Sequence, residues 1–230
     1  MKVNILLSTY NGEQFLAEQV KSIQEQTYQE WELLIRDDGS SDGTVEVIKQ
    51  LVAKDPRIHF INENHVENVG VIKSFHALLK YSKADLYCFS DQDDFWLPEK
   101  ISLQVTEAKK YSQDKPLLIY TDLKVVDENL SVLHDSMIRT QSDHANTELI
   151  QELTENTVTG GVAMINHALA ELWTGEEKYD LLMHDWYLGL LASAFGNLVY
   201  IDEPTELYRQ HSSNVLGART LRKRMKNWVR

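Results

Sequence analysis

The sequence predicts an α/β protein, one continuous domain with a mostly parallel central sheet flanked by helices. Three observations predict it. Short apolar runs alternate with segments of helical period through the first 100 residues, the rhythm of strand–helix–strand units with right-handed crossovers. The runs are mainly apolar, as in strands buried on both faces. Three polar clusters follow three of these runs at their carboxyl ends, where open parallel sheets bind ligands.

Residues 3–8 read as the first strand, and residues 14–26 as a helix with Phe15, Leu16, Val20 and Ile23 on one face. Residues 31–36 form a second strand, followed by the turn-rich segment 37–44. A helix over 45–54, a strand over 58–62, a helix over 71–81 and a strand over 85–90 complete the first half. Beyond Asp94 the rhythm weakens. Residues 99–111 read as a helix, 117–121 and 124–127 as two strands, 147–155 as a helix and 158–165 as a strand led by glycines. Helices over 167–173 and 184–195 and a final strand over 198–201 follow. Residues 1–217 are expected to form the domain, 1–100 binding a nucleotide and 101–217 an acceptor, with 218–230 a separate basic segment.

A chain of 230 residues is long enough for a real core, and its single cysteine, Cys88, excludes an internal disulfide framework. The first seven residues are too short for a signal-peptide core, and no run has transmembrane length, so the expected compartment is the cytoplasm. The net charge of −12 argues against a nucleic-acid binder. From Arg219 onward there are six basic residues and no acid, which leaves −18 on the rest. Leu221, Met225 and Trp228 fall at i, i+4 and i+7, one apolar stripe on a basic helix. Such a helix suits an anionic membrane surface or the flank of its own domain. The pattern stops without a cap signal, as in a piece of a longer protein.

Asp91-Gln92-Asp93-Asp94 is the most informative cluster. Carboxylates crowded at a strand end repel one another, and a divalent cation, Mg²⁺ or Mn²⁺, removes that cost while binding substrate phosphates. The plainer reading is a solvated acidic turn ahead of the helix that Pro98 would start. After the first strand, Tyr10 offers a ring for a flat base, and Ser8 or Thr9 a hydroxyl. Asp38 can accept the imide N–H of uracil or thymine, while one of Asp37 and Asp38 is expected to be an Asx-turn residue. No glycine cradle for phosphates follows the first strand. Asp185, between His184 and Trp186 at the start of an apolar helix, could serve the helix dipole or act as a general base. The other histidines, His59, His65, His76, His134, His144 and His167, are read as packed or surface residues.

The chain resembles family 2 glycosyltransferases of the GT-A fold, with its Rossmann-like sheet, over essentially its whole length. The likeness rests on Ser8-Thr9-Tyr10-Asn11-Gly12, Gln26-Thr27, Asp37-Asp38-Gly39-Ser40-Ser41-Asp42-Gly43-Thr44, Asn68-Val69-Gly70 and the run from Asp91 to Lys100. Thr159-Gly160-Gly161, His184-Asp185-Trp186 and the run from Tyr208 to Asn214 follow in order. Each motif alone is weak, but their order is highly specific. Thr121-Asp122-Leu123 and His134-Asp135-Ser136-Met137 make it most similar to bacterial rhamnosyltransferases of cell-wall polysaccharide synthesis.

The resemblance implies that Ser8, Thr9, Tyr10 and Asp38 hold the base and ribose, together with Asp91 toward the nucleotide sugar. It implies that Asp93 ligates the cation directly, with Asp91 and His211 also at the metal or diphosphate. Asp185 would be the catalytic base, although His184 stands where an acidic residue often precedes it. Trp96, Gly160, Gly161, His184, Trp186 and Arg209 would touch the acceptor or the donor sugar. Inverting transfer from dTDP-β-L-rhamnose to a saccharide acceptor, expected to be lipid-linked, would give an α-rhamnosidic bond. Other readings are a UDP-hexose donor, a nucleotidyltransferase and a non-catalytic nucleotide-sugar module. A nucleotidyltransferase normally carries a basic glycine-rich loop after its first strand, and residues 8–13 have no Lys or Arg.

Overall fold

The first three strands form because their side chains have apolar partners on both faces. β1 (Val3–Thr9) lies between β2 (Trp31–Asp37) and β4 (Leu86–Ser90), parallel to both, and β3 (Ile58–Phe60) extends the sheet beyond β2. The computed structural model describes residues 1–138, 144–175 and 181–211. Val3, Ile5 and Leu7 pack with Leu33 and Ile35 toward α1 (Leu16–Gln24), α2 (Thr44–Lys54) and α4 (Lys100–Ala108). Leu6 and Leu34 face the opposite layer, formed by α3 (Val71–Tyr81), α6 (His167–Thr174) and α7 (His184–Phe195). The period-2 alternation of each strand thus feeds two cores, one on each face.

The sheet order is β3-β2-β1-β4-β8-β6-β9-β5, with β7 (Val132–His134) paired to β6 (Leu117–Val126). β8 (Ala163–Asn166) runs antiparallel between β4 and β6, and β9 (Asn197–Arg209) runs parallel to β6. The sheet is therefore mostly parallel in its main strands, as expected, but β8, β7 and β5 run against their neighbours. The glycine-led segment begins as a 3₁₀ turn, Gly160–Val162, and becomes strand only at Ala163.

Other elements differ from expectation for physical reasons. The two strands expected over 117–127 are one. Asp122, in the gap between them, is buried, and its carboxylate accepts the N–H of Leu123 at 2.8 Å and of Ile138 at 3.1 Å, and the hydroxyl of Ser136. The last strand runs through Pro204 to Arg209, because register shifts opposite Thr121 and Asp122 relieve proline of a ladder hydrogen bond. That extension creates β5 (Phe95–Trp96), which pairs with Glu206 and Leu207 and has too few residues to show a period. α1 ends at Gln24, where the Gln26 N–H tightens to Ile23 O at 3.2 Å, and the Gln26 side chain donates to Leu97 O at 2.8 Å and accepts from Ile101 N at 3.1 Å. The helix expected over 147–155 is the single turn α5 (Leu149–Glu152). The basic segment 218–230 lies outside the described residues.

Candidate active site

The carboxyl ends of β1, β2 and β4 lie level, with Thr9 paired to Asp37 and Leu7 to Ser90. The three polar clusters therefore share one edge. Gln92 joins two of them: its amide accepts the N–H of Tyr10 at 2.8 Å and donates to Tyr10 O at 3.0 Å. A Cβ on Gly12 would lie 2.2 Å from the Gln92 oxygen, so a larger residue there would displace the Gln92 amide. Tyr10 is 52% exposed, so its ring is available to a flat ligand.

The adjacent aspartates of the second cluster have separate duties. Asp37 is the turn former, accepting the N–H groups of Gly39 at 3.1 Å and Ser40 at 2.8 Å and the hydroxyl of Thr9 at 2.8 Å. Asp38 is buried beside Arg36 and accepts its guanidinium at 2.8 Å. It also accepts Val69 N at 2.7 Å, Gly70 N at 3.0 Å and Ser74 Oγ at 3.1 Å. Gly70 has φ +85°, a left-handed conformation that glycine adopts without a Cβ clash. A cavity of about 590 Å³ opens beside this network, lined by Arg36, Asn62, His65, Val69 and Lys73 among others. None of the acid-loop residues lines it.

β9 carries the C-terminal segment to the acidic loop. Arg209 N donates to Asp94 Oδ1 at 3.0 Å, and Arg209 Nε donates to Asp93 O at 2.7 Å. Its other nitrogens donate to Glu128 O at 2.6 Å and to the Glu18 carboxylate, and the guanidinium lies over the Phe15 ring, 4.5 Å from its centroid. Two residues later, His211 Nε2 lies 2.6 Å from Asp93 Oδ2. Asp93 and His211, both expected at the cation, are thus in direct contact. Among the described residues no three His, Cys, Asp or Glu side chains are gathered as a ready cation cage.

On the other side, Asp185 begins α7. Its Oδ1 accepts Asn156 Nδ2 at 3.2 Å and Trp186 N at 2.7 Å, and its Oδ2 accepts Gly160 N at 3.1 Å. Trp186 Nε1 donates to Glu152 O at 2.7 Å, which sets the α5 turn against α7. His184 is buried among Phe75, Phe89 and Trp173, and neither ring nitrogen has a hydrogen-bond partner. Burial lowers its pKa, partly opposed by the Asp185 charge.

Five expected ligand contacts need correction: the Asp38 carboxylate is buried on Arg36, Val69, Gly70 and Ser74 rather than turned to a base, the His184 ring is buried among aromatic rings, and three more follow. Trp96 is 1% exposed with the Lys100 ammonium 4.0 Å from its ring centroid, so it packs inside rather than facing a sugar. Arg209 is 2% exposed, and its donors hold the acidic loop and its surroundings. Thr9 is fully buried, with its hydroxyl on Asp37. Sequence reasoning missed Asn156 and Glu206, whose roles follow from long-range contacts with no local pattern, and read Gln92 only as part of the acidic cluster. Lys100 was read only as part of a motif.

The electrostatics tie the two sides together. Burial pushes the Asp91 carboxyl up to about 7, assisted by the charges of Asp93, Glu206 and Asp185 and opposed by Lys100. Asp94 is raised well above the usual range by burial and then by Glu206, Asp91 and Asp93, and its Oδ2 is buried without a partner. Tyr208 is raised as well, by burial first and then by Asp94, Asp91 and Asp93. Carboxylates that disfavour one another's charge form a place where a cation binds favourably.

The fold is that of GT-A glycosyltransferases. Residues 4–171 match Glycosyl transferase family 2, and the chain belongs to that family. It is similar to the dTDP-rhamnosyl transferase RfbG of Shigella flexneri, 29% identical over 223 residues that span 92% of this chain and 74% of that one. It is also 30% identical over 127 residues to WfgD of Escherichia coli, a UDP-Glc:alpha-D-GlcNAc-diphosphoundecaprenol beta-1,3-glucosyltransferase. That match spans 55% of this chain and 47% of the relative. Among solved structures, TarS of S. aureus superposes with TM-score 0.68 at 18% identity, covering 91% of this chain and 60% of the other. The mannosyltransferase PcManGT of Pyrobaculum calidifontis, in complex with GDP-Man and Mn²⁺, gives 0.71 at 16% identity, covering 94% and 58%. Among the described residues no helix is long and apolar enough to cross a membrane.

Proposed function

We propose that the protein is a metal-dependent, inverting rhamnosyltransferase. It moves L-rhamnose from dTDP-β-L-rhamnose to a saccharide acceptor carried on a lipid, in cell-wall polysaccharide synthesis. The observation that carries the transferase reading is the meeting of Asp93 with His211 at 2.6 Å, in a field of acids that extends to Asp185. Similarity to the Shigella dTDP-rhamnosyl transferase across most of the chain supports the donor.

The residues fit a divalent cation. Asp93 and His211 supply one carboxylate and one imidazole, which leaves the other positions to diphosphate oxygens and water, the usual sharing for Mg²⁺ and a suitable one for Mn²⁺. When bound, the cation supplies charge neutralisation at the leaving diphosphate. Asp91 faces the same charge. Ser8 and Tyr10 line the approach to the base, and Asp38, already accepting four donors, shapes the loop beside it. Asp185 takes the proton of the acceptor hydroxyl as that oxygen forms its bond to the anomeric carbon. The bond from that carbon to the diphosphate oxygen breaks, and nucleoside diphosphate departs. A single displacement turns a β-linked donor into an α-rhamnoside. Gly160, Gly161 and Trp186 adjoin this carboxylate and frame the sugar, and His184 packs beneath them.

Release of nucleoside diphosphate from dTDP-rhamnose, UDP-glucose, UDP-GlcNAc and GDP-mannose, each with Mn²⁺, Mg²⁺ or chelator, tests the proposal. Metal-dependent turnover of dTDP-rhamnose above the others is expected. Turnover of UDP-glucose alone would move the donor to that of the E. coli relative, and no metal dependence would end the cation reading.

A further inference from the structure

The pair formed by Lys100 and Glu206 stands apart from the expected site residues. Both side chains are wholly buried and their charged atoms lie 2.5 Å apart. Burying two charges costs several kcal/mol per ion before their attraction is counted, and a buried pair is weak evidence for stability. A role besides stability is therefore worth seeking, and the contacts supply one. Lys100 is the first residue of α4, just after the acidic loop and β5. Glu206 lies on β9, three residues before Arg209, which holds Asp93 and Asp94 through backbone and side-chain hydrogen bonds. The Lys100 ammonium also donates to Gly161 O at 2.5 Å. The neighbouring Gly160 N–H holds Asp185 Oδ2 at 3.1 Å.

We propose that Lys100, neutralised by Glu206, is a positioning residue that locks the cation-binding acids to the catalytic base. One ammonium ties the start of α4, strand β9 and the Gly160–Gly161 turn into a single rigid frame. The fit at this junction is tight: a Cβ on Gly161 would lie 2.6 Å from Glu206 Oε1, an oxygen that is buried without a hydrogen-bond partner. Misplacement of reacting groups by about 1 Å costs on the order of 10²-fold in rate. The inference rests on the transferase reading for its kinetic consequence, while its structural content stands independently.

Two charge-balanced double variants test it. Lys100→Met/Glu206→Gln removes the donor to Gly161 O, and Lys100→Gln/Glu206→Gln keeps one. Replacing a buried ion pair by neutral groups of similar volume is often neutral for stability, so both are expected to fold with similar Tm. The Met variant is expected to lose about 30- to 100-fold in kcat with donor KM within about threefold. The Gln variant should recover about tenfold of that loss. Equal kcat in both variants, or wild-type kcat in the Met variant, overturns the inference. Hydrogen exchange at the Gly160 amide separates this from failure of the transferase reading. A wild type that turns over no donor refutes that reading. Faster Gly160 exchange in the Met variant than in the Gln variant still upholds the lock, and equal exchange refutes it. Should the Met variant not fold, the same comparison is made between wild type and the Gln variant, whose shorter side chain is expected to speed Gly160 exchange and lower kcat. Unchanged values of both overturn the proposal.

Discussion

His211 Nε2 and Asp93 Oδ2 lie 2.6 Å apart although 118 residues separate them in the chain. β9 makes the contact possible by running on through Pro204 and delivering its end to the acidic loop. If the pair holds a cation with the diphosphate, Asp93→Ala and His211→Ala should each abolish the Mn²⁺-dependent thermal shift produced by nucleotide. For wild type at a hundredfold excess over Kd that shift corresponds to about 2.7 kcal/mol. An undiminished shift in either variant removes that residue from the cation site.

Asp185→Asn should cut kcat by about 10²–10⁴, the range of a general base, with donor Kd within about threefold. The carboxylate accepts from both Asn156 and Gly160, so the amide must turn a donor toward one of them. A Tm measurement accompanies the kinetics for that reason. Equal losses in donor binding and turnover would reassign Asp185 to positioning.

Cys88 is fully buried, and burial pushes its thiol up to about 12 despite the Lys100 charge. Thiolate is the reactive form, so a disulfide-exchange reagent at pH 8 should modify one thiol only as the protein unfolds. Stoichiometric reaction with the native enzyme on mixing would contradict the buried placement of β4.

Asp55 is held below the usual carboxylate range by hydrogen bonds from Arg57 and Gln24, against burial, which raises it. A depressed folded-state pKa stabilises above the unfolded value, and the gain is lost as pH falls through the folded value. Asp55→Asn should therefore destabilise by on the order of 1 kcal/mol at pH 7, after screening at the partly exposed Arg57. Urea denaturation at pH 7 and below pH 4 checks this: the gap between the proteins should shrink in acid. A gap independent of pH would assign the effect to lost packing.

If the acceptor is lipid-linked as proposed, the basic segment is expected to bring the enzyme to it at an anionic membrane face. Each Lys or Arg near such a surface is worth about 1 kcal/mol at low salt. Sedimentation with anionic vesicles should bind the full chain and release a chain ending at Gly217. Equal binding by both, or none by either, removes that role.

The sequence by itself determined the sheet-forming half of this protein, because its signals are local. Runs dominated by apolar residues, such as 3–8 and 86–90, are best buried on two faces, and the intervening helices carry their apolar residues at helical spacing. It also determined that the cluster after β1, the Asp37 turn and the acidic loop share one edge, since strand ends in a parallel sheet point one way. Only the tertiary structure decided the reversal at β8, the unbroken course of β6 across Asp122 and the length of β9. Each depends on partners far away in the chain. The same distance hid the frame of the site. Nothing near Trp96 or Arg209 distinguishes a sugar contact from a buried brace, and nothing near Lys100 announces that Glu206 will neutralise it. Burial and long-range pairing assign those roles, and they exist only once the chain has folded.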